Sequence, residues 1–162
     1  MPGGTPFKDD DLALLKYGKG TVLDIGTFLG LSATILSINA KKVYTVDQFT
    51  KNKHMDYKYY NYEDVKKSLS EFKNIEVIKG LSKEIKIDDN FDVIFIDGGH
   101  SQPQISEDYV KWSGQLKSGG YLLFHDCINE YPDIVELINK IKYRNFLEYV
   151  ERIGIIEVFK KY

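Results

Sequence analysis

Four short apolar runs, each leading into an aspartate, constrain this chain more than any other feature. They are Thr21-Val-Leu before Asp24, Val43–Val46 before Asp47, Phe91–Ile96 before Asp97, and Tyr121–Phe124 before His125-Asp126. Short runs rich in β-branched and aromatic residues read as strands. Phe91–Ile96 is almost wholly apolar, which suits a strand buried on both faces. Helical spacing separates the runs: Leu31, Ile35, Leu36 and Ile38; then Val65, Leu69 and Phe72; then Ile105, Tyr109, Trp112 and Leu116; and finally Ile134, Val135, Leu137, Ile138 and Ile141, with Pro132 in the first turn. An earlier helix begins at Asp9–Asp11, carries Leu12, Leu14, Leu15 and Tyr17, and stops at Gly18. Ile75–Ile78 adds a strand, and Lys117–Gly120 reads as a turn. Phe146–Val150 and Ile155–Phe159, joined across Gly154, read as a closing hairpin. Strands alternating with helices predict an α/β fold: a Rossmann-like, doubly wound, mostly parallel seven-stranded sheet with helices on both faces and an antiparallel C-terminal hairpin strand.

A chain of 162 residues is most simply one domain spanning 1–162, with 1–6 as a flexible lead-in. Residues 48–64 break the periodicity. They are polar and aromatic, with Tyr57, Tyr59, Tyr60 and Tyr62, and read either as a substrate-side loop or as a surface loop over an apolar patch. The net charge of −2 makes no case for nucleic acid or a membrane surface as partner. Arg144 and Arg152 are the only arginines, so bidentate phosphate clamps are scarce. Cys127 is alone and cannot form an internal disulfide, which fits a reducing compartment; the N-terminal residues do not form a signal peptide, and no apolar run has membrane-spanning length. A cytoplasmic protein is expected.

If the four runs are parallel strands, their carboxyl ends share one edge and bring Asp24, Asp47, Asp97 and Asp126 around one crevice, where open α/β sheets bind ligands. Gly26 and Gly30 turn the chain from the first strand into a helix. Such a turn lets a nucleotide-like cofactor approach the backbone closely, though it also serves as an ordinary connection. Asp47 lies about 20 residues beyond this turn, where an acid accepts hydrogen bonds from ribose hydroxyls. Asp97 and Asp126 come from neighbouring strands and offer the oxygen ligands that Mg²⁺ requires. Gly98-Gly99 sets His100 on a loop beside Asp97, as a candidate base. His125 reads as a packed or hydrogen-bonded residue, and Tyr109 and Trp112 as core.

Three stretches resemble class I S-adenosylmethionine-dependent methyltransferases, and the resemblance runs from Leu12 to Phe159. Asp24-Ile-Gly-Thr-Phe-Leu-Gly-Leu-Ser32 is similar to the first motif of the catechol-type, metal-dependent O-methyltransferases. Phe95-Ile-Asp-Gly-Gly-His-Ser101 and Lys117-Ser-Gly-Gly-Tyr-Leu-Leu-Phe-His-Asp126 look like the small-molecule group that includes macrolide-sugar and cephalosporin-tailoring enzymes. The resemblance implies methyl transfer from S-adenosylmethionine to a hydroxyl of a small molecule, a sugar or natural product, with Mg²⁺. It implies that Asp24, Gly26, Thr27 and Gly30 form the turn on the methionine side of the cofactor and that Ser32 bonds its carboxylate. Asp47 holds the ribose, Gly80 and Ser82 border the adenine, Asp97 stands between cofactor and metal, and Asp126 is a second metal ligand. His100 occupies the offset at which the catechol-type enzymes carry a lysine base.

The chain departs from that pattern at Cys127, where the catechol-type enzymes place Asn and the sugar-modifying ones often Asp. A thiol is a poor Mg²⁺ ligand, so a third ligand comes from elsewhere, with His100 and Asn129 as candidates, or metal binding is weak or absent. A short N-terminus leaves room for another subunit to cover the site, as in a homo-oligomer. Two other readings compete. One is a cofactor-binding module without catalysis. The other is a nucleotide-dependent oxidoreductase, against which Phe28 counts, because it fills the position where a dinucleotide turn carries glycine.

Overall fold

The computed structural model describes residues 8–50 and 60–162. The expected lead-in over 1–6, and Tyr57 and Tyr59 of the aromatic segment, lie outside them. In chain order the elements are α1 (Lys8–Tyr17), β1 (Gly20–Ile25), α2 (Leu31–Ser37), β2 (Ala40–Asp47), α3 (Tyr62–Leu69), β3 (Ile75–Lys79), β4 (Phe91–Ile96), α4 (Gln104–Ser113), β5 (Leu116–Phe124), α5 (Pro132–Ile141), β6 (Leu147–Ile153) and β7 (Ile156–Lys161). The sheet order is β3-β2-β1-β4-β5-β7-β6. β1 to β5 pair in parallel and β7 runs antiparallel between β5 and β6, as the closing hairpin required.

Period-2 alternation divides the strand side chains between two cores. Val22, Val93, Phe95, Leu123 and Val158 face one side, with Ala13, Leu14 and Tyr17 of α1, Ala33 and Leu36 of α2, and Val65 and Leu69 of α3. Leu23, Ile94, Ile96, Leu122 and Phe124 face the other, with Tyr109 and Trp112 of α4 and Ile134, Leu137, Ile138 and Ile141 of α5. The expected core roles of Tyr109 and Trp112 therefore hold. Burying each large side chain of this kind contributes about 1.5–3 kcal/mol relative to exposure, so the two faces dominate stability.

Three local expectations need correction. Lys117–Gly120 is not a free turn: it lies within β5 as a bulge, since Leu116 pairs Phe91 while Tyr121 already pairs Val93. That pairing also draws Leu116 out of helix α4. α3 ends at Leu69, and Phe72 stands beyond it, 36% exposed.

Strand register positions the site. Ile25 pairs both Val46 and Ile96, and Ile96 pairs Phe124. The next residues, Gly26, Asp47, Asp97 and His125, therefore leave the sheet at one level. Sheet-like bonds continue one step further, from Gly26 N–H to the Val46 carbonyl at 2.9 Å, Asp97 N–H to Ile25 at 2.8 Å, and His125 N–H to Ile96 at 3.1 Å. β1 lies between β2 and β4, so the chain order reverses at this point, which is where open α/β sheets form their binding crevice.

Candidate active site

A cleft of about 600 Å³ opens at this edge, within the size range of small-molecule sites. Among the predicted residues it is lined by Gly26, Asp47, Gly80, Ser82, Asp97, His100 and Asp126, together with His125, Phe28, Tyr60, Gln48 and Gln104. Backbone strain gathers here. Among the described residues, the non-glycine positive φ angles fall at Phe28 (46°), Phe49 (55°) and Asp126 (55°), all on or beside the cleft. Asp126 is turned by this geometry toward the cleft, while Cys127 turns into the core.

Asp24, Thr27, Gly30 and Ser32 stand behind the rim rather than on it. β1 continues through Ile25, so Asp24 is not the strand end that its sequence suggested. It lies one pair deeper, beside Thr45 of β2, and is fully buried. Thr45 donates to its Oδ2 at 2.6 Å and Ser32 at 3.1 Å; Thr27 in turn donates to Thr45 Oγ1 at 2.7 Å. Ser32 is therefore committed to Asp24 here, not directed at a ligand. The other oxygen of Asp24, Oδ1, is buried without a hydrogen-bond partner.

Burial pushes the Asp24 carboxyl up to about 7, against the bond from Thr45 and with the Asp97 and Asp47 charges nearby. The native state keeps this proton where the unfolded chain has lost it, so the contribution of Asp24 to stability falls as pH rises from about 4 to about 7 and is constant above. Comparing Asp24→Asn with the parent by denaturant unfolding across this range is expected to show a gap that widens with pH in favour of the variant, on the order of a few kcal/mol. A gap independent of pH contradicts a protonated Asp24.

At the other end of the cleft, the ligand atoms of Asp97, His100 and Asp126 lie within 4.8 Å of one another. His100 Nε2 is 2.9 Å from Asp126 Oδ2, and its ring packs against Tyr131, tilted by 53° with the centroids 4.2 Å apart. His125 bridges the two carboxylates, with Nδ1 3.1 Å from Asp97 Oδ1 and 3.3 Å from Asp126 Oδ2. Burial alone lowers the His125 pKa, but the Asp126 and Asp97 carboxylates outweigh it and hold the imidazolium to about 10. Burial raises the Asp126 carboxyl, yet His100 and His125 keep it well below the usual range. Asp97 is raised by burial, against its bond from His125. His125 is packed edge-on against Phe95 and paired with carboxylates, and it is also part of the cleft.

The Asp97 and Asp126 carboxylates, with the His100 imidazole beside them, offer oxygen donors that suit a hard divalent cation such as Mg²⁺. Cys127 is not part of it. Its side chain is 4% exposed, its Sγ donates to the Phe124 carbonyl at 3.3 Å, and burial pushes its thiol up to about 12. Asn129 is not among the cleft-lining residues. Cys127→Ala is accordingly expected to lower stability by about 1 kcal/mol while leaving ligand and metal titrations unchanged. A lost metal response in that variant would assign the thiol a role that its burial denies.

Two predicted cofactor contacts are internally engaged. Ser82 Oγ receives the Trp112 indole N–H at 2.7 Å. Asp47 Oδ2 accepts Phe28 N–H at 2.9 Å, and its Oδ1 accepts Phe49 N–H at 2.7 Å and the Tyr60 hydroxyl at 2.8 Å. Sequence reasoning missed Asp10. It sits behind His125, with Oδ2 3.5 Å from Nε2, while its Oδ1 accepts Ile155 N–H at 2.9 Å. The signal was present: Asp10, Ala13, Leu14 and Tyr17 follow helical spacing, and all four are buried.

A protein-family model described as a methyltransferase domain matches residues 23–127. No curated protein sequence matches the chain. Among solved structures, the N-methyltransferase NodS from Bradyrhizobium japonicum WM9, in complex with S-adenosylhomocysteine, superposes with a TM-score of 0.71 at 16% identity, covering 96% of this chain and 88% of that one. A Staphylococcus aureus protein provisionally named a caffeoyl-CoA O-methyltransferase gives 0.70 at 16% identity, over 99% and 85%. An rRNA methylase from Streptococcus thermophilus gives 0.65 at 17%, over 99% and 98%. At such identities these likenesses show a shared fold, and their acceptors differ in kind.

Proposed function

The chain belongs to the methyltransferase-domain family, and we propose that it transfers a methyl group from S-adenosylmethionine to a hydroxyl of a small molecule. The observation that carries this reading is the convergence of Gly26, Asp47, Asp97, His100 and Asp126 on one cleft. In this reading the donor lies over Gly26, whose positive φ turns the chain at the cleft, and its ribose hydroxyls bond Asp47. Gly80 and Ser82 border the adenine. The methionine end reaches the turn that Asp24 backs from inside the sheet.

The acceptor oxygen attacks the sulfonium methyl in line. The new C–O bond forms as the C–S bond breaks, S-adenosylhomocysteine leaves, and the acceptor's proton must be removed. His100 is placed to take it. With Nε2–H on Asp126, its Nδ1 is left as the basic nitrogen, and the Asp126 charge favours the imidazolium that forms. His125 and Asp10 fix the Asp97 and Asp126 carboxylates from behind. A divalent cation held by Asp97 and Asp126, with His100 adjacent, would lower the acceptor's pKa and orient it. Most of the remaining catalysis is positioning of two reactants.

A small-molecule acceptor is favoured over nucleic acid because the cleft is lined by Asp47, Asp97 and Asp126 and by no lysine or arginine among the described residues. A polyanion needs the opposite charge there. The test is formation of S-adenosylhomocysteine from S-adenosylmethionine with small hydroxylated acceptors and with RNA, each with Mg²⁺ and with chelator. Turnover with a hydroxylated acceptor that chelator suppresses is the expected result. Turnover with RNA alone, or turnover indifferent to chelator, contradicts the acceptor or the metal part respectively.

A further inference from the structure

Asp47 is the residue to which the proposed function gives the donor's ribose, yet its carboxylate is already occupied. A carboxylate offers about four acceptor positions, two on each oxygen. Phe49 N–H at 2.7 Å and the Tyr60 hydroxyl at 2.8 Å take both positions on Oδ1, and Phe28 N–H at 2.9 Å takes one on Oδ2. A vicinal diol that donates to both oxygens needs a position on each, and Oδ1 has none left. One internal donor has to give way.

The three donors are not equally able to move. Phe28 N–H and Phe49 N–H belong to backbone held at φ 46° and 55°, and the Phe49 bond closes a tight local turn onto the residue two before it. Moving either amide rebuilds the turn that shapes the cleft. The Tyr60 hydroxyl ends a side chain, and because its oxygen lies on the ring axis it leaves by a small tilt of the whole ring. The Tyr60 ring, 3% exposed, packs at 5.5 Å on Phe28 and 5.9 Å on Phe49, and a tilt pivoting at its Cβ displaces the distal oxygen more than the ring that makes those contacts. Tyr60 also lines the cleft, beside Asp47, Gln48 and Thr50, and lies immediately before Asn61, which caps α3 by accepting Asp64 N–H at 3.0 Å.

We propose that the Tyr60 hydroxyl is a stand-in for the ribose: it occupies Asp47 Oδ1 in the empty chain and is exchanged for a ribose hydroxyl when the donor binds. This rests on the reading of Asp47 as the diol acceptor. Tyr60 thereby sets the cleft's affinity for ligands that carry the diol and leaves its affinity for ligands without it unchanged. It also lowers the cost of burying Asp47 in the empty cleft, since a carboxylate there without its donor would be poorly compensated.

The experiment compares wild-type chain and Tyr60→Phe by calorimetric titration with S-adenosylhomocysteine and with its analogue lacking the 2′- and 3′-hydroxyls. Phenylalanine keeps the ring packing, and a thermal melt establishes that the variant is folded. The expected result is binding of S-adenosylhomocysteine roughly tenfold tighter in Tyr60→Phe, with the analogue's affinity the same in both proteins. Unchanged or weaker binding of S-adenosylhomocysteine, or an equal gain for both ligands, overturns the exchange and makes Tyr60 a purely structural partner of Asp47. If the variant does not fold, wild-type chain alone decides the matter. Its tyrosine ultraviolet difference spectrum on binding S-adenosylhomocysteine shows the signature of a lost phenol–carboxylate bond if the exchange occurs, and none if it does not. Failure of wild-type chain to bind S-adenosylhomocysteine at all overturns the cofactor reading, and this proposal with it.

Discussion

Gly26→Ala is expected to abolish measurable S-adenosylhomocysteine binding and to lower stability by about 2–4 kcal/mol. Gly26 has φ 103°, where a side chain is strained, and a Cβ there would lie 2.0 Å from the Asp97 carbonyl oxygen. That atom is backbone, and Asp97 N–H is itself tied to Ile25. Neither strand can retreat without breaking sheet bonds that set the level of the whole site. Gly119→Ala is the internal control. It also has positive φ, 79°, but a Cβ there meets nothing within 4 Å, and the residue lies in the β5 bulge away from the cleft. It should cost about 1 kcal/mol and leave binding intact. Thermal melts paired with ligand titration separate the two effects. Wild-type affinity in Gly26→Ala would place the donor elsewhere.

The second large effect is on turnover. Asp126→Asn and His100→Ala should each lower kcat roughly tenfold or more while leaving the dissociation constant for S-adenosylhomocysteine within about twofold. Asp126 sits 2.9 Å from His100, and in the proposed function this pair serves the acceptor, whereas Gly26 and Asp47 serve the donor. The two single variants should not be additive, because each removes the same Asp126–His100 pair. Mg²⁺ titration distinguishes their roles: Asp126→Asn loses its response to the metal, and His100→Ala keeps a reduced rate that still responds. Unchanged kcat in both variants would remove the base and the metal from the account together.

Much of the fold was legible because hydrophobic alternation and helical spacing are local signals. Each predicted strand exists, and the antiparallel hairpin at Gly154 followed from two short runs and one glycine. Legibility stopped where a residue's fate depends on a partner far along the chain. Asp24 looked like a strand end, but its level is set by pairing with β2 and β4, which buries it one step inside the sheet. Lys117–Gly120 has turn composition, yet β4 on one side holds it as a bulge. Ser32 and Ser82 could be placed near the cleft but not aimed, since Asp24 and Trp112 claim their hydroxyls. Tyr60 stood out only as one tyrosine among several, because its bond to Asp47 spans the aperiodic segment. Asp10 was hidden in an acidic triplet that reads as a helix cap, although helical spacing put it on the buried face. The acidic edge itself was visible because each of its aspartates follows an apolar run. That Cys127 turns away from it was not, since this depends on the positive φ of Asp126.

One measurement bears most directly on the claim that this cleft holds an adenosyl methyl donor: parallel calorimetric titration of the chain with S-adenosylhomocysteine and with NAD. One site for S-adenosylhomocysteine is expected, with micromolar affinity or better, weakened roughly tenfold or more in Asp47→Ala, and no binding of NAD over the same range. Binding of NAD without S-adenosylhomocysteine, or S-adenosylhomocysteine binding that Asp47→Ala leaves untouched, would contradict it.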